Sequence, residues 1–185
     1  MRRAHGFSLL EVLIATAVLT SGVTALAQLV TIAMRANASA GAATSAALLA
    51  RAKMEQLRQL AWSVDATAAP ISDLTADIAS EPNRPTGGHG LSTSPPDALV
   101  QLHPGYCDFV DSAGRSLGGG GSPPPDAAYV RQWAITPLDA FAGNTLLLQV
   151  RVSRWQGGGA SGTNIGIVPR LDETWLVGIK TRKGG

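Results

Sequence analysis

From Phe7 to Met34 the chain carries a single charged side chain, Glu11, in a run that is otherwise apolar or small. At about 1.5 Å per residue this run would extend about 42 Å as a helix, more than the roughly 30 Å hydrocarbon core of a bilayer. The pattern changes after Arg35, but no helix breaker marks the change. Residues 36–62 contain no proline and are rich in alanine, the strongest helix former. In AALLARAKMEQLRQLAW (46–62), Ala47, Ala50, Met54, Leu57 and Ala61 recur at helical spacing and predict an apolar stripe. Arg51, Glu55 and Arg58 fall on another face, with Glu55 in pairing reach of either arginine. These patterns predict one helix from about Phe7 to Trp62, roughly 80 Å long. Its first half (7–34) would sit in lipid or against other apolar helices. Its second half (35–62) would pack on a globular domain (63–185). Thr20, Ser21, Gly22 and Thr24, and then Gly41, are where such a helix would bend or unwind.

Residues 65–126 read differently. Prolines and the GGGGSPPP run (118–125) punctuate them too densely for long regular elements. A loop of αβ type around ALVQLH (98–103), a strand at YCDFVD (106–111) and a turn or mobile loop at 118–125 are expected. Strand patterning dominates residues 127–182. In AAYVRQWAIT (127–136), Tyr129, Arg131, Trp133 and Ile135 alternate with Val130, Gln132 and Ala134. In NTLLLQVRVSRW (144–155), Leu148, Val150 and Val152 alternate with Gln149, Arg151 and Ser153. In ETWLVGIKTR (173–182), Trp175, Val177 and Ile179 alternate with Leu176 and Lys180. Turn-rich connections suit sequential antiparallel pairing, and the amphipathic half of the helix is the available cover for one face. The fold class expected is α+β: a long N-terminal helix packed on a small antiparallel sheet.

Composition refines this only in places. Charged residues are 15% of the 185, well below the usual quarter, which predicts a surface rich in Ser, Thr, Gly and Ala. Cys107 is the single cysteine, so an intramolecular disulfide is excluded and a partly buried, inert thiol is the simplest reading. Arg2 and Arg3 precede the apolar run, which places the N-terminus in the cytoplasm and the residues after Arg35 outside. A cleaved secretory signal is disfavoured, because the run exceeds an h-region of about 7–15 residues and its small residues are dispersed. A plain membrane anchor fits the length but leaves Glu11 unexplained.

Glu11 acquires a meaning from its surroundings. The stretch GFSLLEVLIA (6–15) follows a short basic hexapeptide, with Gly6, Phe7, Glu11 and an uninterrupted apolar run in sequence. This resembles the class III leader of type IV prepilins and pseudopilins. The resemblance implies a pilin-like fold and cleavage between Gly6 and Phe7 by a prepilin peptidase. It further implies N-methylation of Phe7 and assembly with other pilin or pseudopilin subunits through the N-terminal helix. Glu11 would then face the amino terminus of a neighbouring subunit. The same residues permit a local role, since Ser8-Leu9-Leu10-Glu11 has capping-box spacing. LLEVLIATAVLTSGVTALAQL followed by ARAKMEQLRQL looks like PilV-type minor pilins, as do YVRQWAIT and LLLQVRVSRW. The I-type minor pseudopilin of type II secretion is similar at the same start and is the alternative. A major pilin is disfavoured, because Cys107 is single and Gln28 stands where a helix-kinking proline is usual. The resemblance implies a structural subunit without catalytic activity or cofactor, stored in the inner membrane before joining a pilus or pseudopilus.

Other candidate chemistry is thinner. Removing the leader takes away Arg2 and Arg3 and brings the formal charge from +2 to zero, leaving no basic stripe for nucleic acid. His89, His103, Cys107, Asp108 and Asp111 mix plausible metal ligands but lack a second pair at ligand spacing. Neither Gly87-Gly88-His89-Gly90 nor Gly118–Gly121 is followed by the Lys-Ser/Thr of a phosphate loop. Trp133, Trp155 and Trp175 suit sheet packing, and KTRK (180–183) suits a solvated end, with DNA contact as the alternative for that tail. A class-distinct rival is an enzyme or ligand-binding domain on an ordinary signal anchor.

Overall fold

The helix begins where Ser8 turns its carbonyl inward, accepting the N–H of Glu11 at 3.0 Å and of Val12 at 3.2 Å. A computed structural model describes residues 8–64, 70–72, 89–138, 144–155 and 173–182. Helix α1 spans Leu9–Gln59 and is uninterrupted through Gly22 and Gly41. The hydroxyls of Thr16, Thr20, Ser21, Thr24 and Thr31 donate to carbonyls three or four residues back at 2.7–3.0 Å. Each of these hydroxyls in the apolar run is thereby satisfied within the helix, so the Thr20–Thr24 stretch stays helical. The expected end at Trp62 is corrected: Trp62 opens strand β1 (Trp62–Val64), which pairs antiparallel with β2 (Pro70–Ser72).

The chain divides between Gly41 and Ala42 into two units. Up to Gly41, every described residue except Ser39 is exposed, including Leu19 and Leu29 at 66% each. From Ala42 onward, the helix packs on a five-stranded antiparallel sheet of order β4-β3-β5-β6-β7. These strands are β3 (Cys107–Val110), β4 (Ser116–Gly119), β5 (Tyr129–Pro137), β6 (Thr145–Arg154) and β7 (Glu173–Thr181). The last three match the alternating segments of the sequence to within two residues at each end. The other two strands of this sheet come from the proline- and glycine-rich region. There β4 takes in Gly118 and Gly119, which the sequence assigns to a turn, because an edge strand needs only backbone pairing with β3.

Of the expected helix stripe, Ala50, Met54 and Leu57 are buried, and the seam is completed by residues outside that stripe. Ala46, Ala50, Lys53, Leu57 and Leu60 are buried at alternating four- and three-residue steps, whereas Ala61 is exposed and Ala47 half-buried. Against this seam lie Trp133, Ile135, Leu148, Val150 and Val152, all 1% exposed or less, which form the core. For strand β7 the alternation alone does not say which face meets the helix, and the register decides it. Its register places Leu176 beside Val150 and Gly178 beside Leu148, so Leu176, Gly178 and Lys180 share the helix-facing side. A Cβ on Gly178 would meet Met54 Sδ and Arg58 Nη2 at 3.0 Å, so the glycine admits the helix side chains. Trp175, Val177 and Ile179 fall on the opposite face and are exposed at 46%, 62% and 61%.

Residues 97–101 cover part of that opposite face. Gln132 Nε2 donates to the carbonyls of Ala98 and Gln101, and Arg151 Nη1 to that of Leu99. The helix C-terminus is held from β7: Lys180 Nζ donates to the carbonyl of Arg58 at 2.6 Å and to those of Leu57 and Leu60. These are carbonyls a helix end leaves without an internal partner. Burial there lowers the Lys180 pKa from its ordinary value.

Candidate functional site

Glu11 sits in the first turn of α1, where its charge complements the helix dipole. Its N–H is used by Ser8, but no side-chain capping-box pair forms between Ser8 and Glu11 among the described residues. The carboxylate lies on an open surface with Leu10, Ile14 and Ala15. No described residue of this chain supplies a counter-charge to it. Gly6 and Phe7 lie outside the described residues. Downstream of Glu11 the helix is long and apolar enough to cross a membrane, with mean hydropathy 1.9 over its best 18-residue window and none of that window buried. A carboxylate on such a surface can accept a cation from outside its own chain.

Residues 1–27 match the family model described as the prokaryotic N-terminal methylation motif. The match covers the same stretch, GFSLLEVLIA (6–15), that resembles the class III leader of type IV prepilins and pseudopilins. The comparisons with curated proteins and with solved structures gave no match. The methylation motif over the first 27 residues, the apolar helix suited to membrane anchoring and the α+β fold are mutually consistent with a pilin-like protein.

The metal-ligand candidates do not converge: no group of three that could hold a metal ion forms among the described residues, and each candidate is engaged elsewhere. His103 Nε2 lies 2.8 Å from Asp97 Oδ1, and His89 stacks on Tyr106 at 5.3 Å between ring centroids. The Cys107 thiol donates to the carbonyls of His103 and Gly120. Burial pushes its pKa up to about 11, so it is a protonated thiol at neutral pH. Asp111 closes the β3–β4 hairpin, accepting the N–H groups of Ala113 and Arg115 and the Arg115 Nε. The Arg115 N–H is the largest cause holding its carboxyl below the usual range. Gly114 in that hairpin has φ 85°, a conformation favouring glycine.

A buried ionic node was missed by sequence reasoning. Lys53 Nζ lies 2.6 Å from Asp108 Oδ2, and Arg131 grips the same carboxylate through Nε at 2.6 Å and Nη2 at 2.8 Å. Lys53 and Asp108 are fully buried, and the ammonium stands 4.0 Å above the Trp133 ring. The bidentate arginine and the ring face give the charges the close partners that burial demands. The available signal was the spacing 46-50-53-57-60, which puts a lysine in the helix seam. The expected stripe took in Ala50, Met54 and Leu57 but left Lys53 unassigned. A second pair, Arg151–Glu173, joins β6 to β7 at 2.5 Å and is also buried.

Proposed function

We propose that this chain is a minor type IV pilin-like structural subunit, most like the PilV type. A prepilin peptidase cuts it between Gly6 and Phe7 and methylates the new amino group of Phe7. The subunit waits in the inner membrane with its N-terminus cytoplasmic and its C-terminal residues outside, and then joins or initiates a filament through its N-terminal helix. The observation that carries this reading is the methylation motif at residues 1–27, leading into a helix that exposes apolar side chains on every side up to Gly41.

Glu11 has a physical role in this scheme. A carboxylate near a helix centre costs about 2.5–3.5 kcal/mol on membrane-insertion scales, and less near the interface. The methylated amine of a neighbouring Phe7 stays charged and offsets that cost only when two subunits meet in register. Glu11 therefore favours docked over isolated helices. Ser8 already secures the helix start through its backbone, which leaves the carboxylate available for this contact. Replacing Glu11 by Ala tests the scheme: leader cleavage is expected to proceed normally while incorporation into filaments falls. Undiminished incorporation of the variant would overturn the assembly role.

A further inference from the structure

The seam by which α1 meets the sheet is nearly self-similar. Ala46, Ala50, Lys53, Leu57 and Leu60 recur at four- and three-residue steps, so a slip of one turn brings each position close to where its neighbour stood. Four of these five residues are alanine or leucine, and apolar burial is non-directional, so it discriminates weakly between such placements. Lys53 is the one charge in that seam, since Arg51, Glu55 and Arg58 are exposed.

What Lys53 meets is assembled on the sheet without the helix. Asp108 on β3 stands directly across from Arg131 on β5, and the guanidinium grips the carboxylate through two nitrogens. Trp133, two residues further along β5, offers its ring to the ammonium at 4.0 Å. Arg131 already balances the Asp108 charge, so stability alone does not call for a second cation. Exchanging such a buried triad for apolar residues is often neutral or stabilising.

We infer that this carboxylate, guanidinium and ring form a socket for one ammonium, and that the socket sets the register of α1 on the sheet. A slip of one turn would put Ala50 or Leu57 over Asp108, where neither brings a side-chain donor or a charge. It would also carry the Lys53 ammonium about 5 Å along the axis to the place of Leu57 or Ala50, both fully buried. The other ties between helix and sheet select less. Gly178 leaves room for Met54 and Arg58 without requiring them. Lys180 binds the backbone carbonyls of Leu57, Arg58 and Leu60, a group every residue carries. The inference concerns the helix after Ala42 and the sheet, and stands whether or not the leader is cut.

Moving the lysine in the full-length chain in detergent tests it. Spin labels at Glu55→Cys and Ser112→Cys, both exposed positions, report the separation of helix and β3–β4 hairpin by double electron–electron resonance. A second pair joins Leu48→Cys to Ser112→Cys, and Cys107 is buried and stays unlabelled. With the parent seam each pair should give one distance. Exchanging Lys53→Leu with Leu57→Lys should slide the helix about 6 Å, and exchanging Ala50→Lys with Lys53→Ala should slide it about 4.5 Å the other way. The measured distances should therefore shift by several ångströms, with opposite signs in the two exchanges. Parent distances retained in both exchanges overturn the inference. The apolar triple Lys53→Met, Asp108→Leu and Arg131→Met decides the matter even where an exchange does not fold. It is expected to unfold at a denaturant midpoint no lower than the parent's while its distance distributions split or broaden. A triple variant that keeps the single parent distances also overturns the inference.

Discussion

One helix carries two chemistries. Before Gly41 its large apolar side chains stand in the open, with Leu19 and Leu29 each 66% exposed. From Ala42 to Gln59 it has a single buried seam, with Ala46, Ala50, Lys53 and Leu57 fully buried and Arg51, Glu55 and Arg58 outside. Helix propensity is high in both halves, so it does not distinguish them. The distribution of charge does. A helix that is apolar all round has no water-facing side and needs lipid or other helices, whereas an amphipathic one needs a single covering surface. The sheet is that surface for the second half. For the first half no covering surface exists among the described residues.

The largest effect should come from breaking the buried node that joins the second half to the sheet. Asp108→Ala leaves Lys53 and Arg131 without their shared carboxylate and should cost about 3–5 kcal/mol. Denaturant unfolding of the full chain in detergent, followed by tryptophan fluorescence, would show it; an unchanged midpoint would deny the node its role. Next comes a matched pair of truncations. Leu57→Ala should cost about 2–5 kcal/mol in the same transition, while Leu19→Ala should stay within about 0.5 kcal/mol. Equal costs would erase the contrast between the halves.

A charge should discriminate in the opposite sense. Leu19→Arg adds about 2.5–3.5 kcal/mol to membrane insertion and should deplete the membrane fraction. Leu48→Arg, at a position 62% exposed in the second half, should leave both fractionation and unfolding unchanged. Smaller still is the thiol. With its pKa raised to about 11, Cys107 should resist iodoacetamide at pH 8 in the folded chain and react once denaturant unfolds it. The Asp111 carboxyl, held below the usual range, should contribute stability above that range and lose it as pH falls through the folded value. Asp111→Asn should flatten the acid limb of a stability–pH profile.

Much of this was legible because period and charge are local properties. The runs 127–136, 144–155 and 173–182 alternate at a strand's period, and the apolar run needs only counting. What stayed hidden depends on partners distant in the chain. Lys53 has no assignment in the sequence until Asp108 and Arg131 are brought to it across the β3–β5 pairing. Which face of the 173–182 alternation meets the helix is undecided until the β6–β7 register turns Trp175, Val177 and Ile179 away from it. Trp62 reads as a helix end because tryptophan gives no stop signal; in the fold its ring lies under the Arg182 guanidinium at 4.9 Å. Glu11 was legible for a different reason: an isolated carboxylate in an apolar run is conspicuous whatever the fold.

The central claim is that the first half of α1 begins at a processed, methylated terminus and is built for assembly. Intact-mass measurement of the protein extracted from its native membrane tests this directly. The account predicts a chain that starts at Phe7 and carries one added methyl group. A chain that retains Met1–Gly6 would contradict it.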